Sequence, residues 1–170
     1  MAAGRAKAPS KGMSKGVTKT RRGHTILVLH GPNLNLLGTR EPAMYGTVSL
    51  DEINKALGTQ AREAGYGIKA FQSNHEGELI DLIQTHGHTA AGALINAASL
   101  THTSIGLRDA VLGVGIPLVE VHLSNVHRRE DFRQQSYLAD IAVGCVVGFG
   151  AASYTLGLAG LIGHLKTRGT

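Results

Sequence analysis

Apolar and polar positions alternate between two periods along this chain. Residues 25–30, TILVLH, form a short apolar, β-branched run, which predicts a strand covered on both faces. A loop punctuated by glycine, proline and asparagine follows, HGPNLNLLGTREPAMYGTV. Ser49 and Glu52 then stand at the S-x-x-E spacing of a capping box. Leu50, Ile53 and Leu57 recur at helical spacing behind them, so SLDEINKALGTQAREAG reads as a helix. GIKAFQ (67–72) reads as the second strand, 76–86 as the second helix with Leu79, Ile80 and Ile83 on one face, and AGALIN (91–96) as the third strand. Residues 103–113 follow as the third helix, PLVEVH (117–122) as the fourth strand, CVVGF (145–149) as the fifth, and 152–165 as a last helix rich in Gly and Ala. Strands alternating with helices predict an α/β fold with a five-stranded parallel sheet and right-handed crossovers. In such sheets ligands bind beyond the carboxyl ends of the strands, where the strand order reverses. The residues just after 30, 72, 96, 122 and 149 are therefore where chemistry is expected.

Composition narrows the classes. The 170 residues are 42% hydrophobic and 17% charged, which suits one domain with a buried core. No apolar run approaches the ~18 residues of a membrane span, and the N-terminus has no apolar signal core, so a cytoplasmic protein is expected. The single cysteine, Cys145, makes neither an internal disulfide nor a Cys-based zinc site, and within GCVVGF it reads as a small buried hydrophobe. The net charge of +5 is unevenly divided. Residues 1–23 carry +7 and no acid, whereas 24–170 carry −2. The first segment therefore reads as a disordered basic tail and the second as a single domain. A basic arm suits anionic surfaces. Seven aromatics and no Trp offer no base-stacking platform, so a nucleic-acid partner is not expected.

Three pattern matches lack their context. GMSKG (12–16) fits the nucleophile elbow but lies in the basic tail rather than between a strand and a helix. GFGAAS (148–153) lacks the third glycine of a dinucleotide fingerprint and has no following strand for the acidic residue. His86-Gly-His88 sits at a helix end with no flanking carboxylate cluster and reads as a surface loop rather than a metal site.

The remaining polar groups gather at strand exits. Strand one leads into Asn33, then Arg40 and Tyr45; strand two into Ser73, Asn74 and His75; strand three into Asn96 and His102; strand four carries Glu120 and His122 into Leu123 and Ser124, with Arg133 beyond. Taken singly, each has a structural reading. Asn33 would hold a turn, Asn96 and His102 would satisfy loop amides or cap helix three, and Glu120 and His122 alternate with apolar neighbours as they would on a solvated face. Taken together, four exits of one sheet bearing amides, imidazoles and hydroxyls suit a small, polyhydroxylated anion.

The set resembles the type II 3-dehydroquinate dehydratases. The carrying motifs are GPNLNLLGTREPxxYG, QSNHEGELID, THTSxxLRDA and VEVHLSNxHxREDFR, and the likeness runs from about Ile26 to Leu165. It implies a flavodoxin-like fold, a homo-oligomer assembled as a dodecamer of trimers, and dehydration of 3-dehydroquinate to 3-dehydroshikimate with no cofactor and no metal. It further implies Tyr45 as the base, Arg40 as the cation that favours its phenolate, Asn33 as the enolate stabiliser, His122 as the acid and Glu120 as the group fixing its tautomer. Asn96 and the backbone of Leu123 and Ser124 would hold the carboxylate, and His102 and Arg133 the ring hydroxyls. Asp109 would complete a neighbouring subunit's site. The folded part has only Lys55, Lys69 and Lys166, none at a strand exit, which disfavours a Schiff-base route. Ala97, Ala98 and Ser99 stand where Pro-Gly or Ala-Gly is common after Asn96, Leu100 where Tyr is frequent, and His30 where Asn is common; Ala98 would cost stability if its φ is positive. The alternative is a flavodoxin-like small-molecule binding protein without catalysis.

Overall fold

A computed structural model of the chain describes residues 23–39 and 47–168. The basic tail, the 12–16 motif, Arg40 and Tyr45 lie outside the described residues.

Five strands, β1 (Thr25–His30), β2 (Gly67–Gln72), β3 (Gly92–Asn96), β4 (Leu118–His122) and β5 (Gly144–Val147), form one parallel sheet in the order β2-β1-β3-β4-β5. Four helices accompany them: α1 (Leu50–Glu63), α2 (Glu76–Gly87), α3 (Ile105–Val114) and α4 (Ala152–Arg168). The order is that of the flavodoxin-like folds, with its reversal between β1 and β3.

The two-residue period of the strands sorts the core. Ile26 and Val28 of β1, Leu94 of β3 and Val119 and Val121 of β4 pack with Ile53 and Leu57 of α1 and Tyr154, Leu158 and Leu161 of α4. The alternate positions Leu27, Leu29, Ala93, Ile95 and Leu118 pack with Leu79 and Ile83 of α2 and Leu107 and Val111 of α3. Two helices thus cover each face. No helix among the described residues is long and apolar enough to cross a membrane.

The capping box at α1 is complete: the Glu52 N–H donates to Ser49 Oγ at 3.3 Å, and the Ser49 N–H to Glu52 Oε2 at 2.8 Å. Helix α3 begins two residues later than expected. Residues Ala98–His102 form a separate 3-10 turn, and Ser104 caps α3 by accepting from the Leu107 N–H at 2.9 Å. Strand β5 ends at Val147 rather than 149, because Gly148 turns out of the strand at φ 93°. Cys145 is exposed rather than buried. It lies on β5, which among the described residues is an edge strand with no strand beyond it and is incompletely covered. Although the residue is exposed, its sulfur turns inward to within 3.7 Å of Glu120 Oε2, and partial desolvation there, with the carboxylate, pushes the thiol up to about 11.

Candidate active site

The exits of β1, β3 and β4 converge on one cleft of about 390 Å³. Asn33, Asn96, His102, His122, Leu123, Ser124 and Arg133 all line it, so seven of the expected site residues share a single concavity. Glu120 stands behind His122. Asp109 is exposed on α3 and does not line the cleft.

Backbone geometry draws the exits together. Gly31 follows β1 directly, and a Cβ there would meet the Ala97 carbonyl oxygen at 2.4 Å, so only glycine lets the β1 and β3 exits approach this closely. Asn33 then takes a left-handed conformation, φ 67°, which asparagine tolerates. Its N–H donates to Asn74 Oδ1 at 2.9 Å; the same oxygen accepts from Gln72 Nε2 at 3.0 Å. The residues leaving β2 thus act as a bracket for the Asn33 turn. Across the cleft, Asn96 Oδ1 accepts from the Ala98 N–H at 3.1 Å, and Ala98 holds φ 50°, a conformation that suits glycine better.

Glu120 and His122 do not lie on a solvated face. They are 1% and 7% exposed. The alternation that suggested solvation reflects a polar stripe covered by the chain after β4. His122 Nε2–H donates to Glu120 Oε1 at 2.8 Å. The same carboxylate accepts from the Thr101 hydroxyl, and the Ser136 hydroxyl lies 2.9 and 2.8 Å from its two oxygens. Burial alone would raise the Glu120 carboxyl. The His122 hydrogen bond and charge, with the Thr101 and Ser136 hydroxyls, together outweigh burial and hold it below the usual carboxylate range. An ionised acceptor fixed on Nε2 leaves Nδ1 of His122 as the nitrogen available to a ligand.

His102 is set differently. Its Nδ1–H donates to the Gln135 carbonyl at 2.7 Å, leaving Nε2 as an acceptor. Partial burial, then the neighbouring His122 and Arg133, hold it below the ordinary histidine value, although the Gln135 bond opposes them. The two rings stack with centroids 6.4 Å apart.

The structure adds residues that the sequence reading passed over. Arg129 and Glu130 line the cleft beside Arg133, with Glu130 Oε2 3.0 Å from Arg133 Nε and 3.5 Å from Arg129 Nε. Leu34, Leu37 and Val126 supply apolar walls, and Ser99 a hydroxyl. The signal for Arg129 was the Arg-Arg-Glu-Asp-Phe-Arg run after β4, in which only the last arginine stood out. No lysine lines the cleft among the described residues, and they contain no cluster of three metal-ligating side chains. His86 is instead stacked on Phe71, with centroids 5.1 Å apart.

Comparison with known proteins agrees with this geometry. The profile of the Dehydroquinase class II family matches residues 24–162. The chain is 55% identical over 144 residues to a 3-dehydroquinate dehydratase of Trichodesmium erythraeum, covering 85% of this chain and 96% of that protein. A type II dehydroquinase crystal structure from Butyrivibrio crossotus superposes with a TM-score of 0.77 at 37% identity, covering 81% and 96% of the two chains. A second, from Propionibacterium acnes, gives 0.76 at 34% identity, covering 85% and 99%. A match that spans nearly all the described fold, joined to a cleft whose polar groups stand where the motifs put them, makes the chain a member of the class II dehydroquinase family.

Proposed function

We propose that the protein dehydrates 3-dehydroquinate to 3-dehydroshikimate through an enolate, with Tyr45 as base and His122 as acid. The observation that carries the reading is the Glu120–His122 pair, buried at the β4 exit with one ring nitrogen left for the cleft.

The substrate is a ring ketone with a hydroxyl β to the carbonyl. Tyr45, as phenolate favoured by the Arg40 guanidinium, takes the proton from the carbon between them. The electron pair moves onto the carbonyl oxygen, and Asn33 stabilises that enolate through a water. The enolate then collapses. The carbonyl re-forms, a carbon–carbon double bond forms beside it, and the hydroxyl leaves as water with the proton from Nδ1 of His122. Tyr45 ends protonated and His122 neutral, and proton exchange with solvent restores both. Asn96 and the Leu123 and Ser124 backbone hold the carboxylate, while His102 Nε2 and the Arg133 fork hold ring hydroxyls.

The assembly in this reading is a cytoplasmic dodecamer built of trimers, in which Asp109 completes a neighbour's site. Its exposure on α3, away from the cleft of its own chain, supports that assignment. The test is subunit mixing. Tyr45→Phe and Asp109→Ala are each expected to be nearly inactive. Refolded together, they should regain activity well above the sum of the separate samples. Mixed oligomers of confirmed mass that remain inactive would place Asp109 in its own chain's service.

A further inference from the structure

One short segment after β4 serves both histidines of the cleft. The Gln135 carbonyl accepts from His102 Nδ1–H at 2.7 Å. The next residue, Ser136, lays its hydroxyl against the Glu120 carboxylate that holds His122 Nε2–H. The two rings are thereby held in opposite senses: His102 keeps Nε2 for a ligand and His122 keeps Nδ1. The segment is fastened from two sides. The Tyr137 N–H donates to the Thr101 carbonyl at 2.9 Å, and Arg108 of α3 donates to the Tyr137 carbonyl at 2.9 Å and to both oxygens of Asp140.

Backbone donors fix the direction of the Ser136 bonds. The N–H groups of Leu138 and Ala139 can only donate, and each reaches Ser136 Oγ at 3.0 Å. They occupy both lone pairs of that oxygen. The Thr101 hydroxyl, 3.1 Å away, therefore gives its proton to Glu120 rather than to Ser136. Ser136 has one proton to give. The Glu120 oxygens, at 2.9 and 2.8 Å, are nearer than the Thr101 oxygen and carry charge, so the proton goes to the carboxylate. Besides His122, the titratable groups near this carboxylate are His102 and, on β5, Cys145, whose thiol stays neutral.

Glu120 is 1% exposed, so these donors replace water around its charge. An ionised Glu120 keeps a second proton on His122, and Nδ1–H then belongs to an imidazolium. A neutral Glu120 would leave a neutral ring there, a far weaker acid. We infer that Ser136 is a positioning residue: its hydroxyl keeps Glu120 ionised and so keeps on His122 Nδ1 the proton that the leaving hydroxyl takes. This inference rests on the dehydration reading for the step it serves, while the hydrogen bonds themselves do not.

Ser136→Ala deletes the hydroxyl, and Ser136→Thr keeps it. In the alanine variant kcat for 3-dehydroquinate should fall about tenfold, the worth of one hydrogen bond to a charged group. KM should change by less than about twofold, because Ser136 stands behind the cleft rather than in it. The threonine variant should recover most of the kcat. A loss confined to KM, or a threonine variant no better than alanine, overturns the inference. Titration of Glu120 is the readout that a merely structural role would not move. Followed by the carbon-13 signal of its carboxyl group without substrate, the midpoint should rise by about one pH unit in Ser136→Ala and return in Ser136→Thr. A folded alanine variant with an unmoved midpoint overturns the inference. Should that variant not fold, the wild type decides: its Glu120 should stay ionised below the usual carboxylate range, and a carboxyl that titrates within or above that range overturns the inference. These titrations need no substrate, so their failure is distinct from a failure of wild-type turnover, which would count against the dehydration reading alone.

Discussion

Lowering the pH from 7 to 5 should destabilise this protein through His30. The ring is fully buried, its hydrogen-bond partners are Asn54 and Tyr154, and Asn96 is its register partner on β3. Of these only Tyr154 can ionise, and burial pushes it up, so it stays neutral throughout. Burial, partly opposed by the Asn54 hydrogen bond, lowers His30 from 6.5 to about 4. Between those values the unfolded chain binds a proton that the folded one refuses. The stabilisation is therefore complete above the unfolded pKa and is lost as pH falls toward the folded one. The full gap is worth about 3 kcal/mol, of which about 2 kcal/mol falls between pH 7 and 5. Urea unfolding at fixed protein concentration, compared between wild type and His30→Asn, isolates this share from other titrating groups. The wild type should lose about 2 kcal/mol more than the variant over that interval. Parallel pH profiles would refute the reasoning, since they would mean that His30 takes up its proton as readily folded as unfolded.

Other expectations follow from the same geometry. Glu120→Gln removes the anion that holds His122 Nε2–H, so kcat should fall at least about tenfold, and steady-state kinetics on folded enzyme check it. Gly31→Ala forces a Cβ against the Ala97 carbonyl, so it should cost about 2 kcal/mol in denaturant unfolding and lower kcat/KM by parting the two strand exits. Ala98→Gly relieves a left-handed alanine while keeping the N–H that orients Asn96, and should raise stability by about 0.5–1 kcal/mol in the same assay.

How much of this was legible in the sequence depended on range. The strand–helix alternation and the Ser49–Glu52 box rest on short spacings and appear in the structure, and the described polar residues leaving β1, β3 and β4 share one cleft. What was hidden needed register or order. A two-residue period says that Glu120 and His122 share a face, but not that the chain around Ser136 covers it. Cys145 looked buried because its neighbours are apolar, whereas β5 proves to be an edge strand among the described residues. The pairing of His30 with Asn96 exists only once β1 and β3 are adjacent and in register, and Tyr154 lies 124 positions from His30. Arg129 and Arg133 are equivalent in a basic run until the turn after β4 brings both to the cleft.

The central claim is that this cleft eliminates water from 3-dehydroquinate through an enolate. The most direct measurement is the ultraviolet absorbance of the conjugated enone when 3-dehydroquinate is added to purified protein, repeated after enzyme and substrate have been exposed together to borohydride. The account predicts a steady rise in absorbance that borohydride treatment does not diminish, because no lysine lines the cleft among the described residues. No rise with folded protein would contradict the claimed activity, and a rise abolished by borohydride would contradict the enolate route by revealing an imine to lysine.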